Sequence, residues 1–260
     1  METAAQRLAE MSKWLQEQEF LSVTEACRRC DASAATIRRD FANLLAQGVA
    51  ERHRGGVRRQ RRDALAMVPF AVREMHHAPE KSAIAREAVS LLKSGDAVFI
   101  DGGTSTLHLA EHLGQLPLRI ITNSLRLAVA LGEQRYDQAP EVHLSGGWLL
   151  PRSGLLIGPQ ARSAIAQYHA AWAFLSVGGI GPDGVSNTDA MVSDVEQTMI
   201  ASADRVAVLA DHTKIGARSL CQVAPLSRIN VLITDDQADS NVVAAIRSHG
   251  VDVRIVTAAR

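Results

Sequence analysis

Four short stretches in the middle of the chain each run directly into a turn of glycines and hydroxyl side chains. Ala97 to Ile100 leads into Asp101-Gly102-Gly103-Thr104-Ser105-Thr106, and Arg119 to Thr122 into the Thr122-Asn123-Ser124 turn. Glu141 to Leu144 leads into Ser145-Gly146-Gly147, and Ala173 to Val177 into Gly178-Gly179-Ile180-Gly181. Helical patterns separate them, at Glu80 to Lys93, Thr106 to Leu113 and Ser124 to Leu131. Further strand patterns follow at Arg205 to Ala210, Asn230 to Thr234 and Val251 to Val256. Strands alternating with helices in this way predict an α/β domain around a mainly parallel sheet. In such sheets ligands bind outside the carboxyl ends of the strands, where these turns fall. Glycine lets backbone N–H groups approach an anion, hydroxyls add donors, and a helix starting near Thr106 adds its positive end. The converging clusters suit a phosphate. One glycine turn alone is an ordinary strand-to-helix connection; four in register are not. The chain has no G-x-x-x-x-G-K-[ST], and no G-x-G-x-x-G follows the first strand, so nucleotides are not indicated.

The 260 residues carry 28 basic and 28 acidic side chains, a balance that argues against a nucleic-acid partner until it is divided by segment. Arg28 to Arg62 holds ten arginines and three acids (Asp31, Asp40, Glu51), a local excess of the kind a phosphate backbone attracts. Leu8, Met11 and Leu15 share one face of a first helix, about Ala4 to Glu19. Thr24 is positioned to cap a short second helix, which Asp31 ends. Ser33 caps a third, whose buried stripe is Ile37, Phe41, Leu44 and Leu45 and which Gly48 stops. Ala35, Thr36, Arg38 and Arg39 then face outward at its leading end, where a recognition helix reads bases in the major groove. Val49 to Arg52, the Gly55-Gly56 turn and Val57 to Arg59 make a hairpin wing carrying Arg52, His53 and Arg54.

Cys27 and Cys30 lie one helical turn apart and read as small apolar residues rather than half a metal site. Three cysteines suit a reducing compartment. With no apolar run long enough to span a membrane and no signal-peptide core, a cytoplasmic protein is expected. Periodicity fades between Arg58 and Pro79, which predicts three parts: a DNA-binding domain over 1–57, a linker over 58–79 and an effector domain over 80–260.

Thr36-Ile37-Arg38-Arg39-Asp40, followed by the glycine hairpin, resembles the N-terminal domain of DeoR-type bacterial transcriptional regulators. In the wing, Arg54 occupies the family's usual histidine position and His53 stands one residue earlier. The larger domain resembles the same family's sensor, through Glu80-Lys81, Asp101-Gly102-Gly103-Thr104, Thr122-Asn123-Ser124, Gly146-Gly147, Gly179-Ile180 and Ala210-Asp211-His212-Thr213-Lys214. The resemblance implies a winged helix-turn-helix followed by an α/β domain similar to ribose-5-phosphate isomerase. It also implies operator DNA and a phosphorylated sugar as partners, a homo-oligomer, and repression of carbohydrate genes, with no cofactor, metal or catalytic residue. The implied DNA contacts are Ser33, Ala35, Thr36, Arg38, Arg39, Arg52, His53 and Arg54. The implied effector residues are Asp101, Gly102, Gly103, Thr104, Ser105 and Thr106 of the first turn, Thr122, Asn123 and Ser124 of the second, Gly146 and Gly147 of the third and Gly178 and Gly179 of the fourth, with Lys214 meeting the phosphate.

The rival class is a sugar-phosphate isomerase, which needs a carboxylate base. Gln197 stands where the enzyme relatives carry a glutamate, leaving Asp101 and Asp183 as the carboxylates near the pocket. Val195-Glu196-Gln197-Thr198 departs from the basic residues of many relatives. If this segment borders the pocket, Glu196 disfavours a dianionic ligand or selects one bearing an amine or fewer charges.

Overall fold

The computed structural model describes residues 4–46, 50–59, 69–113, 116–133 and 139–258. The chain divides into two compact units, Met1–Val68 and Pro69–Arg260. Gly48, expected to stop the third helix, and the linker arginines Arg61 and Arg62 lie outside the described residues. Within the span read as linker, Arg58 and Arg59 belong to a strand, and residues 70–75 form a helix.

The first unit runs α1 (Ala4–Glu17), β1 (Phe20–Ser22), α2 (Val23–Cys30), α3 (Ala34–Ala46), β2 (Ala50–His53) and β3 (Gly56–Arg59). Its core joins the apolar faces of the three helices: Met11, Leu15, Ala26, Ile37, Phe41 and Leu44, closed by Leu21, Ala50 and Val57 of the strands. Cys27 and Cys30 pack against this cluster. Ser22, not Thr24, caps α2, its Oγ accepting from Glu25 N at 3.1 Å. The shift follows from β1, a third strand beside the wing. Leu21 pairs with Val57, which holds Ser22 extended at the helix entrance. Gly56 permits that pairing, since a Cβ there would lie 2.2 Å from the Leu21 carbonyl oxygen. Asp31 ends α2 in the left-handed region at φ 46° and ψ 48°, as its short polar side chain allows.

Asp40 is buried on α3 and accepts from Arg7 Nε on α1 at 2.8 Å. Removing one member of such a pair leaves the other short of a partner in a partly desolvated place. Asp40→Asn is therefore expected to reduce hydrogen-exchange protection of the α3 amides about thirtyfold, or about 2 kcal/mol, with protection in the second unit unchanged. Equal protection in the variant would mean that the pair contributes nothing to the first unit.

The second unit is built on a seven-stranded parallel sheet in the order β15-β14-β12-β9-β4-β5-β6. These are β4 (Ala97–Ile100), β5 (Arg119–Thr122), β6 (Glu141–Leu144), β9 (Ala170–Leu175), β12 (Ala203–Leu209), β14 (Val231–Asp235) and β15 (Asp252–Val256). Alternating side chains divide between two faces. Val98, Ile100, Trp172, Phe174, Ala207 and Leu209 meet α5 (Ala78–Val89) and α7 (Leu125–Glu133). Phe99, Ala173, Leu175, Val206 and Val208 meet α8 (Pro159–Ile165), α9 (Ala190–Ala201) and α10 (Ser240–Ser248). A hairpin of β7 (Trp148–Leu150) and β8 (Leu155–Ile157), and a small antiparallel sheet of β10 (Gly179–Gly181), β11 (Gly184–Asn187) and β13 (Cys221–Ala224), complete the unit. Its first helix, α4 (Phe70–Met75), is tied down by Lys81, whose buried Nζ donates to the carbonyls of Arg73 and His76. Burial, the largest influence, lowers the Lys81 pKa to about 8.

The strand order fixes where a ligand site can form. From β4 the chain moves outward through β5 to β6, then returns to lay β9 on the other side of β4 and continues to β12, β14 and β15. Between β4 and β9 the order reverses, and the crevice beyond their carboxyl ends is unobstructed by a crossover.

Candidate nucleic-acid interface and ligand site

In the first unit, α3 turns Ile37, Phe41 and Leu44 inward and leaves Ala35, Arg38 and Arg39 exposed, with Thr36 half-buried. Ser33 caps the helix, its Oγ accepting from Thr36 N at 3.2 Å and meeting the Thr36 hydroxyl at 2.9 Å. Arg38 and Arg39 thus stand near the positive end of a capped helix, where anions are favoured. In the wing, Arg52, His53 and Arg54 are exposed, and Gly55 turns the hairpin at φ 83°. His53 rests edge-on against Phe20, with ring centroids 5.1 Å apart. Arg58, by contrast, is engaged within the wing, its Nε donating to Glu51 at 2.7 Å. Arg29 lies over the Trp14 ring and pairs with Glu25 at 2.7 Å. Among the described residues, the exposed cations of the recognition helix and wing tip, Arg38, Arg39, Arg52 and Arg54, are not drawn into such pairs.

In the second unit, the turns after β4, β5 and β9 meet at the point where strand order reverses. Asp101 N donates to Phe174 O at 2.9 Å, and Asp101 Oδ2 accepts from Ser176 N at 3.4 Å. Gly103 is required by this closeness, for a Cβ there would lie 2.1 Å from the Ser176 side chain. Gly102 backs on Ser124 and on Leu155 of β8. The helix after this turn, α6 (Thr104–Leu107), begins at Thr104 rather than Thr106, and continues as a 3-10 turn over His108–Glu111. Thr106 is spent on the turn itself, its Oγ1 accepting from Gly103 N at 2.8 Å. Thr122 and Ser124 are engaged similarly. Thr122 Oγ1 donates to Ile100 O at 2.6 Å and accepts from Ser124 N at 3.0 Å, and Ser124 Oγ accepts from Leu127 N at 3.2 Å. These hydroxyls shape the site rather than facing outward from it. Thr104 and Ser105 are also buried, in the short α6 turn.

The remaining clusters adjoin this centre. Ser145 N donates to Thr122 O at 2.9 Å, and Gly147, at φ 110°, backs on the Ile157 carbonyl, while Gly146 borders open space. Gly178 abuts Asn187 and Ser219, and Gly179 abuts Ala217, so the segment after Lys214 lines the fourth cluster. Lys214 occupies the turn His212–Lys214, with Asp211 at its cap. Burial pushes the Asp211 carboxyl up, but Lys214, the Thr213 hydroxyl and Lys81 outweigh it and hold it below the usual carboxylate range. His212 is locked by Asp235, whose Oδ1 lies 2.9 Å from Nδ1, and His77 packs edge-on against it at 4.6 Å. Burial lowers the His212 pKa, and Asp235 more than offsets this, leaving it raised.

Sequence reasoning misplaced one carboxylate. Gln197 is exposed and donates to Gln222 O at 3.2 Å, so it is no part of the centre. Glu196, one residue earlier on α9, is fully buried and faces Asp101. Its Oε1 accepts from Asn187 Nδ2 at 2.6 Å. Burial, then the neighbouring Asp101 charge, raises the Glu196 pKa well above the usual carboxyl value. Burial likewise pushes Asp101 up to about 6, against the lowering effect of hydrogen bonds from Gly102, Ser176, Glu196 and Asn123. Two carboxylates cannot hydrogen-bond to each other, so the contact is satisfied by one proton held mainly on Glu196 and donated toward Asp101. Asp183, the other carboxylate weighed from the sequence, is exposed and pairs with Arg218 at 3.2 Å.

Residues 7–63 match the DeoR-like helix-turn-helix domain and residues 76–236 the DeoR C terminal sensor domain. The chain is 34% identical over 222 residues to the HTH-type transcriptional repressor CsqR of Escherichia coli strain K12, covering 85% of this chain and 83% of that protein. It is 29% identical over 258 residues to the HTH-type transcriptional repressor GlcR of Bacillus subtilis strain 168, covering 96% and 95%. Among solved structures, ribose 5-phosphate isomerase A from Methanocaldococcus jannaschii overlaps 53% of this chain and 54% of its own, at 16% identity and a TM-score of 0.38. Among the described residues no helix is long and apolar enough to cross a membrane. With an arginine-bearing recognition helix in one unit, a site at the strand reversal in the other and both domain matches in order, this chain belongs to the DeoR family of DNA-binding transcriptional regulators.

Proposed function

We propose that the protein is a cytoplasmic repressor of carbohydrate genes whose hold on operator DNA is set by a phosphorylated sugar bound at the strand reversal. Arg38 and Arg39 at the leading end of α3 read and grip the major groove, with Ser33, Ala35 and Thr36 beside them, and Arg52, His53 and Arg54 follow the phosphates from the wing. The observation that carries the effector reading is the junction of the turns after β4, β5 and β9, where Asp101, Gly103, Asn123 and Ser176 come together. The glycine turns offer backbone donors, and Lys214 a cation, to the phosphate. One helix-turn-helix covers a single half-site, so the working form is a dimer or larger oligomer. Its second copy is accommodated by the apolar face of α7, β6 and the β7–β8 hairpin, where Leu125, Val129, Leu144, Trp148 and Leu149 are exposed.

Because coupling between two sites is reciprocal, one experiment tests the whole scheme. Operator affinity is measured with and without a saturating phosphosugar, and phosphosugar affinity with and without operator. Each is expected to change the other by the same factor, within the usual range of about 5-fold to 150-fold. Independent binding would remove the effector reading.

Paired carboxyl groups at Asp101 and Glu196 favour a second reading, proton transfer on a bound sugar. It is disfavoured by the anchoring of both groups in buried hydrogen bonds to Ser176 and Asn187. Turnover of a pentose or hexose phosphate that disappears in Asp101→Asn would establish it.

A further inference from the structure

We propose that operator binding by this protein takes up a proton at His53, so that the wing grips DNA more tightly below neutral pH than above it. The proposal rests on the reading of the wing as a phosphate contact and adds the charge state that this contact requires. His53 is the single histidine among residues 1–68, and it stands exposed between Arg52 and Arg54 at the tip of the hairpin. Histidine is the side chain whose charge ordinarily changes between pH 5 and 8. The first unit therefore carries one side chain of this kind, at the place where phosphates pass.

The surroundings of the ring fix what it can offer. Its Nδ1 lies 3.3 Å from the carbonyl oxygen of Arg54. A carbonyl has no hydrogen to give, so Nδ1 donates, and in the neutral ring Nε2 is then a bare acceptor. Phe20 of β1 rests edge-on against the ring, with centroids 5.1 Å apart, and brings no charge. Across the ladder His53 faces Gly56, which has no side chain. The acid on the same side of β2, Glu51, is taken by Arg58 Nε at 2.7 Å, and the flanking charges are the two arginines. A bare Nε2 set against a phosphate oxygen opposes acceptor to acceptor. Protonation turns the same atom into a donor and places a positive charge beside the phosphate, a gain that free protein does not have. Binding and protonation therefore favour each other, and one proton can change affinity by at most about tenfold per pH unit.

Salt dependence counts the phosphates neutralised, each contributing about −0.9 to the slope of log affinity against log salt concentration. The full chain is titrated onto an operator fragment selected from random DNA, across a salt series at about pH 6 and at about pH 8. In the wild type the slope is expected to be steeper by about 0.9 at the lower pH, with affinity about tenfold higher. His53→Gln, which takes up no proton, is expected to give one slope at both pH values, that of the wild type at the higher pH. His53→Arg, always charged, is expected to give the steeper slope at both. The position is exposed and lies outside the core of the first unit, so both variants keep the fold. Wild-type slopes that coincide overturn the proton link, and the phosphate reading stands if His53→Arg still steepens the slope. A pH difference in slope that survives in His53→Gln also overturns it, by assigning the proton to another group. If His53→Arg adds no salt dependence at the higher pH, the side chain does not reach a phosphate, and the reading of His53 in the wing falls with the proposal.

Discussion

Replacing Arg38 and Arg39 together by alanine is expected to lower operator affinity about a thousandfold, or about 4 kcal/mol, because each arginine at a groove-facing helix end contributes about 1–3 kcal/mol to base or phosphate contact. Both side chains are exposed and lie opposite the Ile37, Phe41 and Leu44 stripe, so their loss leaves the core of the first unit untouched. Fluorescence anisotropy on an operator fragment obtained by selection from random DNA measures the loss. The single variants separate the roles: a residue that contacts phosphate weakens all sequences alike and reduces the salt slope by about 1, whereas one that reads a base relaxes preference at one position. Effector binding should remain at the wild-type level in the double variant. If ligand affinity fell in parallel, the division of labour between the two units would be wrong.

The second large effect concerns pH. In the folded protein the Asp101 and Glu196 carboxyls are raised above the values near 4 that they have in an unfolded chain. The folded state therefore holds the proton more tightly. The stability linked to the two groups is fully present below about pH 4 and is lost as pH rises, through about 6 for Asp101 and at higher pH for Glu196, which holds its proton more tightly than a carboxyl ordinarily does. Glutamine at position 196 keeps the shape of the protonated acid, donating toward Asp101 through Nε2 and accepting from Asn187 through Oε1. Glu196→Gln should therefore be more stable than the wild type at pH 8, by on the order of 2 kcal/mol, and nearly equal to it at pH 4.5. Asp211 and Asp235, held low in the folded state, make stability rise with pH in both proteins and cancel in the difference. Denaturant unfolding at the two pH values measures it. A difference that is flat with pH, or that favours the wild type at pH 8, would show that the two carboxyls do not share a proton.

Much of this arrangement is legible in the residues. The limits of β4, β5 and β6 follow directly from short runs bounded by turn residues, and the outward set on α3 follows from helical periodicity around Ile37. Elements that depend on distant partners were harder to read. β1 is three residues long and becomes a strand only because Leu21 meets Val57. That same contact moves the α2 cap from Thr24 to Ser22. Helix α4, six residues between Pro69 and His76, is too short to show a period and is secured by Lys81 from another element. The position of Glu196 did have a signal. Val192, Val195 and Met199 are buried on α9, and Glu196 lies four residues after the first and three before the last, within the apolar stripe. A charged residue in such a stripe must find a buried partner, and Gln197, one step round the helix, could not have taken its place.

The β7–β8 hairpin gives the ligand site a mechanical outlet. Its second strand is strapped to the turn after β5 by Leu156 N to Asn123 O at 2.8 Å and by Asn123 Nδ2 to Leu156 O, while Leu155 presses on Gly102. Its first strand carries Trp148 and Leu149 into solvent. Any displacement of Asn123 or of the Asp101 turn is therefore expected to move the β7–β8 hairpin with it, and Trp148 is an optical probe already placed to report such a movement.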